Sequence, residues 1–191
     1  MQGGETQLHG SFVEVRGLGV LLLGPSGVGK SECLIELVRR GHRMVADDVV
    51  RLRLDEGDAG ARLVGWSPET IRHYVEVRGL GLLCLADLFG AESILDECEV
   101  GFVCRLEAWQ PGRSFERVGL ERPRERFLGI DLPAAVLPVH AASNLATLVE
   151  LAARDWQQRE RGVNAARRLD ERLKGRAGML DEAGGLGGES L

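Results

Sequence analysis

Residues 18–41 read LGVLLLGPSGVGKSECLIELVRRG, and the middle of this stretch decides the fold. Gly24-Pro25-Ser26-Gly27-Val28-Gly29-Lys30-Ser31 matches the pattern G-x-x-x-x-G-K-[ST]. Its surroundings suit the match. An apolar run, Val20–Leu23, enters the loop, and Cys33, Leu34, Leu37 and Val38 leave it with helical spacing. Gly41 is a good stop for that helix. Glycines in such a loop let backbone N–H groups converge on phosphate oxygens at the positive end of the helix. Gly24, Pro25, Ser26, Gly27, Val28, Gly29, Lys30 and Ser31 are therefore expected to hold the phosphates of a nucleotide. Lys30, read as an exposed loop lysine, would neutralise the terminal phosphates, and the Ser31 hydroxyl would coordinate Mg²⁺.

A short helix and strand further on come Asp47 and Asp48, at the end of the strand expected over Arg43–Ala46. A carboxylate there can hold Mg²⁺ or accept the proton of an attacking hydroxyl, as phosphoryl transfer requires. No water-positioning Gln or switch region of a GTPase is legible beside the loop.

The phrase VEVRGLG occurs twice, at Val13–Gly19 and Val75–Gly81. Only the first copy runs into the phosphate loop. The copies share little beyond the phrase, so they do not make a repeat architecture. Each reads as strand, glycine turn, strand. Elsewhere, Val49–Leu54 and Ala61–Gly65 read as strands about a turn at Asp55–Gly60, and Pro68–Tyr74 as a short helix. Glu99–Trp109 and Ala135–Val139 are apolar and extended. Gln110–Arg126 between them is polar, arginine-rich and expected to be mobile. Leu145, Leu148, Val149, Ala152 and Trp156 line one helical face, with Ser143 as N-cap. Gly162 breaks that helix, and Val163–Leu173 forms another. Residues 1–174 are expected to make one domain, and Gly175–Leu191, rich in glycine and acidic residues, a disordered tail. Strands mixed with helices around a phosphate loop make the chain α/β.

Composition narrows the function. The 191-residue chain carries a net charge of -5, which leaves no basic footprint for nucleic acid. Lysine is scarce: Lys30 and Lys174 are the only two, so the place of Lys30 is informative. No stretch has the apolar length to span a bilayer, and no signal-peptide pattern opens the chain. The four cysteines form no CxxC pair and sit among apolar neighbours, which points to reduced core thiols and a cytoplasmic protein.

The order of motifs resembles the C-terminal catalytic domain of bacterial HPr kinase/phosphorylase. The matching phrases are LHG, GPSGVGKSE, RGHRMVADDVV, IRHYVEVRGLGLL, LFG, LEAW…ERVGL, NLATLVELAA and GVNAA, spread from Leu8 to Leu173. The resemblance implies a P-loop kinase domain with a central mixed β-sheet flanked by helices and further helices at the C-terminal end. It implies that Asp48 accepts the proton of the phosphorylated hydroxyl, with Asp47 supporting metal or geometry. It makes His9 an active-site histidine near that aspartate, and Glu76 a Mg²⁺ ligand beside Ser31. Val75–Cys84 becomes a stretch important to catalysis, and Arg117 an arginine that reaches the phosphoryl group from a loop. Glu14, in the first copy of the phrase, inherits no role.

The implied activity is ATP- and Mg²⁺-dependent phosphorylation of a serine on HPr or an HPr-like carrier protein, by a ring-like homo-oligomer, typically a hexamer. Two other readings share these residues: a kinase of the same fold with another acceptor, and a nucleotide-binding module without transfer. Asp48, Glu76 and His9 argue against the second, which would need only the loop. Family members usually carry a further N-terminal domain ahead of the matched region. In one segment the chain departs from its relatives. Before the long helix the family has Pro-Val-Arg-Pro-Gly-Arg, a segment tied to dephosphorylation, where this chain has Pro138-Val139-His140-Ala141-Ala142-Ser143. Both arginines are missing, so kinase activity is expected with little phosphorylase activity.

Overall fold

The computed structural model describes residues 4–57, 60–110, 112, 115, 119–140 and 143–184, with the side chains of the last helix described as far as Lys174. Its strands in chain order are β1 (Glu5–His9), β2 (Ser11–Val15), β3 (Leu18–Leu23), β4 (Arg43–Ala46), β5 (Val49–Gly57) and β6 (Gly60–Trp66). They continue with β7 (Tyr74–Val77), β8 (Gly81–Cys84), β9 (Glu97–Ala108), β10 (Arg124–Phe127) and β11 (Ile130–Val139). The helices are α1 (Lys30–Arg39), α2 (Leu85–Phe89), α3 (Leu145–Glu160) and α4 (Ala165–Gly184).

One nine-stranded sheet runs in the order β1-β5-β6-β9-β3-β2-β4, with β11 also joined to β9 and β10 to β11. The sheet is mixed. β3 lies parallel to β9, and β9 parallel to β11, whereas β2, β5 and β6 pair antiparallel with their neighbours. β9 serves two partners along one edge: Glu97–Glu99 bond to β6, and Val103–Ala108 to β11.

Alternation along the central strands sends side chains to two cores. Val13, Val15, Val20, Leu22, Phe102 and Cys104 join Leu34, Leu37 and Val38 of α1 and Val149 and Ala153 of α3 on one face. Phe102 stacks on Trp156 of α3, with ring centroids 5.9 Å apart. Phe12, Leu21, Leu23 and Val103 point to the other face, where Val50, Leu52 and Leu63 meet them. β5 and β6 thus curl the sheet back over itself, and strands fill the face where a layered α/β fold would place helices. Glu150 of α3 ties that helix to the C-terminal end of α1. It accepts from Arg40 Nη1 at 2.7 Å and lies 2.8 Å from His42 Nε2.

Several local expectations change. The turn at Asp55–Gly60 is tighter than expected, because β5 and β6 stay paired to Gly57 and Gly60. The helix expected over Pro68–Tyr74 is one 3₁₀ turn, Glu69–Ile71, because Tyr74 is drawn into a separate two-stranded sheet with Cys84 and Val75 is buried under it. The N-cap of α3 is Asn144, whose side-chain oxygen accepts from Thr147 N at 3.1 Å. Ser143 instead uses its hydroxyl to accept from His140 N. α4 continues to Gly184, into the segment read as a tail.

Candidate functional site

The loop between β3 and α1 is held close to the sheet. A side chain at Gly24 would collide with Leu106 O, 2.4 Å from its Cβ position, so the chain can turn there only without one. Gly29 sits at φ 99 and precedes α1 with no side-chain cap, leaving the first amides of the helix for a ligand. Ten residues of helix follow, enough for its positive end to attract an anion.

Lys30 is not the exposed loop lysine that its sequence context suggests. It is 5% exposed, and its ammonium donates to Gly24 O at 2.9 Å and Pro25 O at 3.1 Å. The loop folds round its own cation. Burial lowers the lysine's pKa, while Asp47 and Asp48 oppose that shift.

The two aspartates occupy unlike environments. Asp47 is buried at the end of β4 and accepts from Ser11 Oγ at 2.5 Å and Ser31 Oγ at 2.8 Å. Burial raises its pKa, and the two hydroxyl bonds partly offset the rise. Asp48 has a side chain 71% exposed and a backbone at φ 65. Val49 N reaches back to Asp47 O at 2.8 Å, closing a three-residue turn about Asp48 that non-glycine residues seldom adopt.

Strand register delivers the histidine. β1 pairs with β5 so that His9 faces Val49, and His9 Nδ1 lies 3.0 Å from both Asp48 Oδ1 and Asp48 O. Both neighbours are acceptors, so the proton belongs on Nδ1.

The second VEVRGLG forms the β7–β8 hairpin opposite the loop. Glu76 and Arg78 of this hairpin, with His9, Lys30, Ser31, Asp47 and Asp48, line a cleft of about 330 Å³. The first copy has other work. Glu14 is buried, accepts from Gly17 N, and pairs with Arg43 Nε at 2.7 Å. Seven identical residues thus carry a structural carboxylate in one place and a cleft carboxylate in the other.

The structure brings together His9, the Gly24–Ser31 loop, Asp48 and Glu76. Arg117 lies outside the described residues. Among the described residues no group of three or more His, Cys, Asp or Glu side chains forms a metal cluster. Mg²⁺ does not need one, since it is commonly held by one or two carboxylates together with phosphates and water. Ser31, Asp47 and Glu76 are hard oxygen donors that fit it. The cysteines are free thiols, with Cys33 and Cys104 buried, and burial pushes Cys33 up to about 12. No helix among the described residues is long and apolar enough to cross a membrane.

Arg78 falls within Val75–Cys84, the stretch that the resemblance makes important to catalysis, but the residues alone gave it no separate role. Its place two residues after Glu76 does not single it out, since an identical Arg16 stands two after Glu14.

Comparison with known proteins agrees with this architecture. The family model for the HPr Serine kinase C-terminal domain matches residues 3–173. An HPr kinase/phosphorylase of Geobacillus thermodenitrificans is 45% identical over 168 residues, 88% of this chain and 53% of that protein. One from Caldicellulosiruptor bescii is 46% identical over 166 residues, 87% of this chain and 52% of that protein. The chain therefore spans about half the length of the curated relatives it matches. The solved Hpr(Ser) kinase/phosphatase from Coxiella burnetii superposes with a TM-score of 0.73 at 28% identity, covering 82% of this chain and 93% of that one. The phosphate-type loop, the paired aspartates and the facing EVRGLG hairpin all lie within the matched residues, and the chain belongs to the HPr serine kinase C-terminal domain family.

Proposed function

We propose that this domain is an ATP- and Mg²⁺-dependent kinase that phosphorylates a seryl hydroxyl of HPr or an HPr-like carrier protein of a phosphotransferase system, in the cytoplasm. The observation that carries the proposal is the position of Asp48, exposed and bonded to His9, in the same cleft as the buried Lys30 and the open amides of α1.

In this reading Asp48 takes the proton from the seryl oxygen as that oxygen attacks the γ-phosphorus of ATP. The bond to the bridging oxygen breaks, and ADP leaves. His9 holds the Asp48 carboxylate toward the cleft from its edge. Lys30 leaves the loop carbonyls for the phosphates, and the amides of residues 30–32 orient them. Ser31 and Glu76 would hold Mg²⁺, with Asp47 fixing the Ser31 hydroxyl. The metal supplies charge neutralisation on the terminal phosphates. Arg117 would add positive charge from its loop.

The reverse reaction is proposed to be weak. His140 and Ser143 stand where the family carries arginines, and the Ser143 hydroxyl is turned onto His140 N at 3.1 Å rather than outward. Leu145, just beyond that segment at the start of α3, lies 3.2 Å from the Cβ position of Gly29, so this end of α3 stands beside the phosphate loop.

Incubation with labelled ATP, Mg²⁺ and purified HPr tests the reading. Label should appear on a serine of HPr and disappear with Asp48→Asn. Transfer to no carrier protein, with transfer to a small hydroxyl compound, would move the chain to the other acceptor class. A ring-like homo-oligomer, as the resemblance implies, is proposed with it and is checked by light scattering.

A further inference from the structure

Ser11 is polar where the sheet otherwise buries apolar residues. It opens β2, is fully buried, and pairs with Leu22 of β3 on the face that packs against α1. A hydroxyl in such a place costs stability unless it is bonded. Among the described residues its one partner is Asp47, whose Oδ1 accepts from Ser11 Oγ at 2.5 Å. A shift in register makes the contact. β2 pairs with β4 as Glu14 with Arg43 and Val13 with Met44, and an unbroken ladder would set Ser11 against Ala46. Between Val13 and Phe12 the ladder slips by one residue, so Phe12 pairs with Ala46 and Asp47 comes level with Ser11. Val45 and Ala46 accordingly both join the second core, as a bulge allows, and Asp47 returns to the face of α1. The new alignment runs on through Gly10 N, which donates to Asp48 O at 3.1 Å, into the pairing of His9 with Val49.

We infer that Ser11 is a positioning residue for the metal end of the cleft, acting through Asp47: its hydroxyl fixes that carboxylate so that the other oxygen is turned to Ser31. This rests on the reading of the cleft as an ATP and Mg²⁺ site. The two oxygens of Asp47 divide their work, Oδ1 accepting from Ser11 and Oδ2 from Ser31 Oγ at 2.8 Å. A carboxylate held at one oxygen can turn about its last bond, whereas one held at both cannot. With its proton given to Asp47, the Ser31 hydroxyl keeps its lone pairs for a cation. Groups one step behind a metal ligand set its direction, and their loss typically costs about 10–100-fold in metal affinity or activity. Ser11 is fully buried and does not line the cleft, so its hydroxyl reaches the metal end only by way of Asp47.

The test compares Ser11→Ala, Ser11→Thr and Ser93→Ala. Ser93 is the control, because it too is buried and its hydroxyl donates away from the cleft, to Gly90 O at 2.6 Å. ADP affinity is measured by calorimetry in chelator and in Mg²⁺, and Mn²⁺ binding to the ADP complex by electron paramagnetic resonance. For Ser11→Ala, ADP affinity in chelator should stay within about twofold, because the loop and Lys30 hold the diphosphate. Affinity of that complex for the metal should fall by about 10–100-fold. Phosphoryl transfer should need correspondingly more Mg²⁺, with kcat at saturating Mg²⁺ within about threefold of the unaltered protein. Ser11→Thr keeps the hydroxyl and should hold metal affinity within about threefold, and Ser93→Ala should leave it unchanged. Where the extra methyl of threonine unfolds the strand in thermal melts, the contrast of Ser11→Ala with Ser93→Ala decides. Unchanged metal affinity in Ser11→Ala would overturn the inference, as would an equal loss of ADP affinity in chelator or an equal fall in Ser93→Ala. If the ADP complex of the unaltered protein binds neither Mg²⁺ nor Mn²⁺, the reading of the cleft as a metal site fails and takes the inference with it.

Discussion

Glu14 and Glu76 occupy the same place in one repeated phrase, and removing the charge of each should have opposite consequences. Glu14 is 6% exposed and accepts from both Gly17 N and Arg43 Nε. Glu14→Gln keeps the shape but turns an NH₂ toward one of these donors. Hydrogen bonds to a charged group contribute about 1.5–3 kcal/mol. Arg43 is 44% exposed and regains water when released, so the loss should be nearer 1–2 kcal/mol. In a domain of this length that lowers Tm by about 2–8 °C. Phosphoryl transfer per folded molecule should hardly change. Glu76 is exposed and has no partner among the described residues, so Glu76→Gln should alter stability by less than about 0.5 kcal/mol. Transfer should drop by about 100-fold or more at fixed Mg²⁺, with part of the loss recovered as Mg²⁺ rises. Thermal melts followed by dye fluorescence and transfer rates on matched folded protein decide it. If Glu14→Gln lost activity without stability, or Glu76→Gln lost stability without activity, the division of roles would be refuted.

Four further outcomes are expected. Lys30→Ala should bind ATP far more weakly and transfer nothing, and should lose about 1 kcal/mol because the loop carbonyls lose their donor; unchanged nucleotide affinity by calorimetry would remove the loop assignment. Asp48→Asn should bind ATP but slow transfer by about 10²–10⁴-fold. Asp47→Asn should be inactive yet more stable near neutral pH. Burial raises the Asp47 pKa, so ionising it opposes folding; that penalty is full above the raised folded value and gone below the ordinary aspartate range. The variant's advantage in denaturant melts should therefore shrink as pH falls, and an advantage that grew on acidification would contradict the burial argument. His140→Arg with Ser143→Arg should raise the transfer of the phosphoryl group from phosphoseryl-HPr to inorganic phosphate, read as pyrophosphate formed, whereas robust pyrophosphate formation by the unaltered protein would refute the reading of that segment.

Much of the site was legible because its chemistry is local. The loop, its entering strand and the helix after it are contiguous, and glycine, lysine and serine spacing states their geometry directly. The paired aspartates at a strand end were visible for the same reason. The distance between His9 and Asp48 was not, since it depends on β1 meeting β5 across 39 residues in one register. Only the resemblance to a known family suggested it. The burial of Lys30 was hidden likewise, because a loop pattern does not say whether the loop closes on its own cation. Ser143 and Asn144 are both good caps side by side, and the backbone rather than the residue type chose between them. The curl of β5 and β6 over the second core left no sequence mark beyond alternation, which a flat sheet would share.

The hairpin that carries Glu76 and Arg78 is a sheet of two strands, bonded to no other strand among the described residues. Val75 is its buried anchor, with Val77 packed at the edge of the same core, while Leu80 and Leu82 stand in solvent. Such a ribbon is marginal by itself. Its amides should exchange with deuterium far sooner than those of β3 or β9, at an opening free energy well below that of the whole domain. On warming, phosphoryl transfer should then fade several degrees before the helices and central sheet lose their circular dichroism. Nucleotide and Mg²⁺, by clamping the ribbon against the loop, should bring the two temperatures together.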